Sequence, residues 1–501
     1  MKRLVSAAVL VALPLAASAQ ETGPSSSAAP YVLPSRPDVK TTSILTVGDT
    51  IGGYRLVGIP DGLGAFRNTG GYFTLLVNHE LGEAKGIVRA HGSKGAFVSR
   101  WVIDREEGEV LRGEDFTPSP LFVYTWDRTA LAYKQGTTAW NRFCSADLAS
   151  PGAFWYEGRG ARERIFLNGE EYDERDATDH GRAFAHVATG PFRGESWELP
   201  RLGRVAFENV VASPHPQRKT ILIGMDDADR VTDPGKTKAP SELYVYVGTK
   251  QREGHPVERA GLTNGDLFGV QVRARRRAVT EESNDFGLGG PVGTFVDEGT
   301  FSLYEFGDVS GWDGIKLQDE AIRFGIARFQ RIEDGAWDPR AGHENDFYFT
   351  TTANVDTNSR LWRLRFRDIE RPKAGGTLEI LLDGSEGHKM LDNLAVDQHG
   401  RVLLQEDVGN NDRLGKIWLY SIAKDELVEV AAHDAELFTP GTGKLGTRDE
   451  ESSGIIDAES ILGRGWFLLD VQAHTAAGVV DEELVEKGQI VALYVDPKIG
   501  R

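Results

Sequence analysis

Sulfur is scarce in this chain, with one cysteine, Cys144, and three methionines in 501 residues. A single cysteine excludes a disulfide framework. Basic clusters are scarce too: no four consecutive Lys/Arg residues occur, and 75 Asp+Glu against 57 Lys+Arg give a formal charge of −18. Acid spread along a chain repels phosphodiester backbones and anionic lipid, so neither nucleic acid nor a membrane is expected as a partner. Past the first twenty residues, no apolar run reaches the roughly 18 residues that a membrane span needs. Sustained helical periodicity is rare, and residues 317–327 and 482–487 are the helix candidates.

A hydrophobic share of 40% with 9% aromatics is enough for a large core. Met1-Lys2-Arg3, an apolar stretch over 4–16 and the small residues Ala17-Ser18-Ala19 read as a secretory signal peptide over 1–19, with a periplasmic or secreted product. In an oxidising compartment the lone Cys144 is either buried and inert, or a ligand or nucleophile. Residues 20–40 are rich in Ser, Pro and Ala and read as a flexible linker or strap. No sign of oligomerisation appears, and a monomer is expected.

Beyond residue 40 short β-branched runs recur between Gly, Asp and Asn, as at 72–77, 96–103, 220–223, 243–247, 347–351, 361–366, 417–420 and 490–495. These predict strands. With 58 glycines to supply turns, the chain reads as all-β, and its length leaves several sandwiches or one propeller. Three segments favour the propeller, those beginning at Asn393, Val210 and Glu333. Each reads strand, turn, strand, with an acidic or amide group at its start. Loops from successive blades converge on a central channel, so a single propeller domain over 41–501 would gather such groups about one axis.

Carboxylates sit at the ends of β runs: Glu80, Glu170-Glu171, Glu208, Asp226-Asp227, Glu333, Asp392, Glu406-Asp407, Asp457 and Glu459. Each alone reads as a turn or cap residue. Crowded around one axis they raise one another's pKa unless cations neutralise them, and oxygen-rich sites suit Ca²⁺. A thiolate suits a softer transition metal, which sets Cys144 apart. No Gly-x-Ser-x-Gly elbow is present, and Ser145 has no evident His partner. His79, His186, His215 and His474 read as structural or surface imidazoles.

The segments Asn168-Gly-Glu-Glu, Phe207-Glu-Asn, Met225-Asp-Asp, Arg331-Ile-Glu-Asp-Gly-Ala-Trp and Leu391-Asp-Asn-Leu-Ala-Val-Asp resemble, in order, motifs of the PhoX-type alkaline phosphatases. The resemblance runs from about residue 48 to 472. It implies a six-bladed β-propeller with short helical insertions, Ca²⁺ and Fe³⁺ in a central channel, and hydrolysis of small phosphate monoesters. On that resemblance Cys144 bridges the irons, Glu208 and Glu333 bind iron, and Arg331 holds phosphate. Glu80, Glu171, Asp226, Asp227, Asp392 and Asp407 become further metal ligands. In a strand, Arg331 and Glu333 would project on one face. Departures are Gly169 and Phe207, where the family often has Cys and His, the missing twin Arg near the start, and the unmatched block 285–312. The second phosphate-binding base has no clear candidate beyond Lys389. The alternatives are a calcium-dependent propeller hydrolase, phytase-like or lactonase-like, and a non-catalytic calcium-binding propeller.

Overall fold

The computed structural model describes residues 20–172, 180–228, 241–274, 277–279, 299–439 and 443–501. The signal-peptide reading at 1–19 and the first half of the unmatched block 285–312, residues 285–298, lie outside the described residues.

Each blade is built from hairpins that run outward from the axis. Blade 1 contains Pro60–Arg67, Tyr72–His79, Phe97–Asp104 and Val110–Asp115. Blade 2 contains Phe143–Leu148, Ile165–Glu170, Ala183–Val187 and Ser196–Glu198, extended outward by the hairpin Val123–Asp127 and Ala132–Gln135. Blade 3 contains Phe207–Ala212, Lys219–Asp226, Leu243–Thr249 and Asp266–Ala274. Blade 4 contains Ile332–Trp337, Asp346–Thr351, Arg360–Phe366 and Gly376–Leu382. The strand Gly299–Gly307 pairs with the outer strands of both blades 3 and 4 and joins them into one sheet.

Blade 5 contains Leu391–Val396, Arg401–Glu406, Lys416–Ser421 and Glu426–His433. Blade 6 contains Glu450–Asp457, Trp466–Ala473 and Lys487–Val495, and takes its fourth strand, Val39–Thr46, from the N-terminal side. Val32–Pro34 adds to blade 5 and Gln20–Thr22 to blade 6. The ring is thereby closed by pairing the start of the sequence with its end, which removes a free edge. The six inner strands pack in sequence around the axis, the last against the first.

This architecture explains why the strands read as continuous apolar runs. A blade is covered on both faces by its neighbours, so both sets of alternating side chains are buried. In Thr220–Met225, Leu222 packs toward blade 2 while Ile221 and Ile223 pack toward blade 4. Each blade interface has its own apolar cluster, with Leu76 and Phe166 between blades 1 and 2, Tyr348 and Leu394 between blades 4 and 5, and Leu75 and Leu468 between blades 6 and 1. Trp362, fully buried between blades 3 and 4, is a large single contribution. Its truncation to Ala costs about 3–5 kcal/mol.

Residues 317–327 do contain a helix, although it starts earlier, at Gly314–Phe324, because Asp313 Oδ1 accepts the Lys316 N–H at 2.8 Å and Gly325 closes it at φ +65°. Residues 482–487 are not helical. Asp481 Oδ1 caps the Glu483 N–H there, Val485 takes φ +61°, and Lys487 already begins a strand. Among the described residues, no helix is long and apolar enough to cross a membrane.

Candidate metal centre

Every inner strand slips register with its partner near the same height: between Pro60 and Leu63, Phe143 and Ala146, Phe207 and Asn209, Ile332 and Gly335, Leu391 and Leu394, and Ser453 and Ile456. A bulge leaves residues outside the ladder and re-aims their side chains. The residues so released are Asp61, Cys144, Glu208, Glu333 and Asp392, with Gly454 in blade 6. Glycine is required there, because at φ +61° an added Cβ would stand 2.7 Å from Asp470 Oδ2. A second ring comes from the first residue past each second strand: Glu80, Glu171, Asp227, Thr352, Asp407 and His474.

Three overlapping groups form where the rings meet. Asp61, Glu80 and Cys144 each offer a ligand atom within 4.8 Å of the others, as do Cys144, Glu171 and Glu208, and Glu208, Glu333 and Asp392. Cys144 links the first two groups and Glu208 the last two. Cys144 Sγ donates to Asp61 Oδ2 at 3.3 Å, and Ser145 Oγ donates to Glu208 Oε1 at 2.6 Å. Asn393 Nδ2 meets Ser145 Oγ, and Ser453 Oγ lies 2.7 Å from Asp61 Oδ1 and 2.6 Å from Asn393 Oδ1. Gln472 Nε2 donates to Asp61 and Glu80 at 2.9 and 3.1 Å.

Two arginines border the cluster. Arg142 Nε donates to Glu80 Oε1 at 2.7 Å and Nη2 to Glu171 Oε2 at 2.6 Å. Arg331 grips Asp227 through Nε at 3.0 Å and Nη2 at 2.5 Å, and Nη2 lies 3.2 Å from Glu333 Oε1. Both sit just before an inner strand with positive φ, +47° and +60°. It is this kink, rather than strand alternation, that lets Arg331 and Glu333 meet. Their side chains are 44% and 32% exposed, and among the described residues neither Nη1 has a protein partner. Both are therefore within reach of a solute.

The negative charge in the channel exceeds what Arg142, Arg331 and His474 neutralise. Burial first, and then neighbouring carboxylates, push Asp61, Glu333 and Asp392 well above the usual carboxylate range. Burial also raises Glu171 well above that range, with Arg142 opposing and Glu80 adding to the rise. Glu208 is pushed up to about 8 and Glu451 to about 7, burial being the main cause for each. Burial raises the Cys144 thiol strongly, with Asp61, Glu208, Glu80 and Glu171 adding to it, so it is no nucleophile by itself. Asp470 is fully buried and, among the described residues, neither of its carboxylate oxygens is hydrogen-bonded, nor is Gln472 Oε1. Buried oxygens without donors are the ones a cation would satisfy. Carboxylates with a single thiol fit hard dications together with a metal that accepts sulfur.

Of the residues singled out from sequence, Cys144, Glu208, Glu333, Glu80, Glu171 and Asp392 fall in these groups, and Arg331 and Asp227 pair beside them. Asp407 sits at the rim, its Oδ1 accepting the Gly409 N–H at 2.8 Å and its backbone bridged to Glu451. Asp226 faces elsewhere, its Oδ1 accepting the Ala206 N–H at 3.1 Å. Lys389 Nζ donates to the Thr357 carbonyl at 3.2 Å, whereas Arg142 occupies the kind of place sought for a second base. Asp61, Arg142, Asp470 and Gln472 escaped sequence reading. Arg142 was findable, because Arg142-x-Cys144 repeats the spacing of Arg331-x-Glu333.

Burial lowers His79 and His186 to about 3, and both imidazoles are held by serines, Ser99 and Ser196. His474 differs, lying 3.0 Å from Glu486 and 3.6 Å from Glu451 at the rim.

No family model matches the chain, and no curated protein sequence does. Among solved structures, Pseudomonas fluorescens PhoX in complex with vanadate, a transition state analogue, aligns over 92% of this chain and 95% of its own, with a TM-score of 0.61 and 13% identity. An ulvan lyase of a polysaccharide lyase family aligns over 88% of this chain and 80% of its own, at 8% identity and a TM-score of 0.37. The first likeness establishes a PhoX-like propeller fold; the second is too distant to argue from.

Proposed function

We propose that this chain is an exported, metal-dependent phosphatase that hydrolyses small phosphate monoesters as a monomer in the periplasm or medium. The observation that carries the reading is the pair of guanidiniums, Arg142 and Arg331, each with a free Nη1, flanking a buried carboxylate and thiol cluster. Guanidinium holds phosphate oxygens through parallel N–H donors. A site of acid alone would repel a phosphate ester, and one of Arg alone would not need the cluster behind it.

Ca²⁺ would be held by carboxylates such as Asp392, Glu80 and Asp61, and Fe³⁺ by Cys144, Glu208 and Glu333. When bound, these ions neutralise the carboxylates and supply Lewis-acid stabilisation of charge on the phosphoryl oxygens. The chain's own contribution is positional. Asp227 fixes Arg331 by a two-point contact and aims its remaining N–H groups outward. Glu80 and Glu171 hold Arg142 in the same way. The inter-blade packing keeps the bulged strands rigid, so ester and cluster meet in one geometry.

Elemental analysis of the purified protein alongside hydrolysis of p-nitrophenyl phosphate tests the reading. Calcium and iron should copurify, chelation should abolish turnover, and a phosphodiester should react far more slowly. A metal-replete protein that releases no p-nitrophenol would overturn it. Calcium without iron, with turnover indifferent to Cys144, would favour a calcium-only, phytase-like hydrolase. Amino-terminal sequencing of the exported form should begin at Gln20, and a start at Met1 would remove export from the proposal.

A further inference from the structure

The same inner strands build a second cavity at the opposite end of the channel. Past each bulge the strands continue into a cavity of about 550 Å³, to which all six blades contribute. It is separate from the metal centre. Between them lies the hydrogen-bonded layer of Ser145, Glu208, Asn393 and Ser453, and each strand sends one residue up and the next down, as with Glu208 and Asn209 or Glu333 and Asp334. It reaches solvent past Ser150, Gln398 and Ser460, which are exposed.

Its chemistry is one-sided. Leu63, Leu148, Val211, Trp337, Val396 and Ile455 give it apolar walls, and its charged lining residues are Asp147, Asp334, Asp457 and Glu459, with no Lys or Arg. Two of these are already satisfied. Asp334 accepts from Asn209 Nδ2 at 2.7 Å and from the Gly335 and Leu394 N–H groups at 2.6 and 3.2 Å, and Glu459 meets His399 Nε2 at 2.8 Å. The other two retain acceptor capacity. Asp147 takes one N–H, from Ala212 at 2.9 Å, and Asp457 takes one from Glu459 at 2.8 Å. Arg164 acts on Asp147 through its charge without forming an ion pair among the described residues. Burial raises Asp147 to about 7 against the opposing charge of Arg164, and raises Asp457 to about 6 with Asp397 and Glu459 adding to it.

We propose that this lower cavity binds a small organic cation, an ammonium group carried on an aromatic or aliphatic body. The volume suits a ligand of that size, and an apolar wall beside placed polar groups gives such a ligand both kinds of contact. An anion would meet acid, with no Lys or Arg among the lining residues. A bare metal ion would lack ligands, because among the described residues no three of these carboxylates converge within 4.8 Å. An organic cation uses both features, its charge against Asp147 and Asp457 and its body against the apolar wall.

Isothermal titration of the full chain with phenethylammonium, phenylacetate and calcium chloride tests this, independently of the phosphatase reading. Phenethylammonium should bind saturably and phenylacetate should not. Asp147→Asn should weaken phenethylammonium at least tenfold, and Ala336→Leu, which fills the cavity without altering its charge, should do the same. Both variants should keep the parent melting profile and metal content. Equal binding of phenylacetate, displacement of phenethylammonium by calcium, affinity unchanged in both variants, or no saturable binding at all would each overturn the proposal.

Discussion

Blades 2 and 4 carry the same device with different terminal ligands. In each, an arginine in the left-handed region precedes the inner strand, and two residues later the bulge presents a ligand, Cys144 in blade 2 and Glu333 in blade 4. Each arginine reaches back to the carboxylate just past the second strand of the preceding blade, Arg142 to Glu80 and Arg331 to Asp227. The blades part at the next position. Blade 2 has Glu171 there, so Arg142 is shared between the terminal carboxylates of two blades, whereas blade 4 has Thr352 and Arg331 pairs with Asp227 and with Glu333 of its own bulge. The pairing teaches that one scaffold position can be tuned twice, in the softness of its ligand and in how tightly its arginine is held. On the proposed function, blade 2 would hold a sulfur-accepting metal and blade 4 would hold phosphate.

The largest expected effect breaks the ligand half of that comparison. Cys144→Ala should lose iron while retaining calcium, and turnover should fall at least about 10³-fold, the scale for removing a main electrostatic element of a phosphoryl-transfer site. Glu333→Gln should also lower activity but leave part of the iron, because Cys144 and Glu208 remain. Metal analysis and initial rates on the same preparations check both. Iron that survives in Cys144→Ala would remove the thiol from the centre.

The arginine half comes next. Arg331→Ala should reduce kcat/KM by roughly 10³-fold and Arg142→Ala by roughly tenfold to 10²-fold, each with metal content kept. Arg331→Lys should recover little, since an ammonium cannot reproduce a two-point contact. Asp227→Asn, which leaves Arg331 in place but loosens it, should cost about tenfold, mainly in KM. Equal losses for both arginines would erase the distinction drawn between the blades.

A pH dependence of stability sharpens the electrostatic side. Glu208 is held at about 8 and Glu451 at about 7, above the ordinary glutamate value of 4.5. Groups raised in the folded state bind more protons folded than unfolded, so their contribution is complete below the ordinary value and is lost as pH rises through the folded one. The chelated protein should therefore melt at progressively lower temperature from about pH 5 to pH 8. Saturating calcium should flatten that slope or reverse it. A chelated protein whose melting temperature rises across this window would show that the carboxylates are neutralised from within the chain.

Much of this was legible before the structure. Segments starting at Asn393, Val210 and Glu333 are inner hairpins of blades 5, 3 and 4, because a strand buried on both faces writes itself as an apolar run between turn residues. Carboxylates at strand ends were visible for the same local reason. Asp61 was not, since it lies inside a strand whose bulge no local pattern announces. Asp470 was not either, because a single acid in Leu468-Leu469-Asp470-Val471 reads as an interruption, and its lack of a hydrogen-bond partner is a fact of packing. Asp226 was credited with a channel role through its neighbour Asp227, and only backbone geometry separates the two, one turned to the Ala206 N–H and the other to Arg331.

The smallest effect is expected at Ser145, and it discriminates between mechanisms. Ser145 stands beside Cys144 in the same bulge, fully buried, where a nucleophilic hydroxyl would be placed if the chemistry were covalent. Its Oγ donates to Glu208 and meets Asn393 Nδ2, and among the described residues no imidazole is bonded to it to act as the base that activates a serine. Its work is to hold Glu208 and to link blades 2, 3 and 5 across the channel. Ser145→Ala removes the hydrogen bonds to Glu208 and Asn393, about 0.5–1.5 kcal/mol of stability each, and frees Glu208 slightly. Turnover should fall less than about tenfold while the melting temperature drops. Complete loss of activity with metals and fold intact would instead make Ser145 the nucleophile and reduce the arginine and thiol asymmetry of blades 2 and 4 to scaffolding.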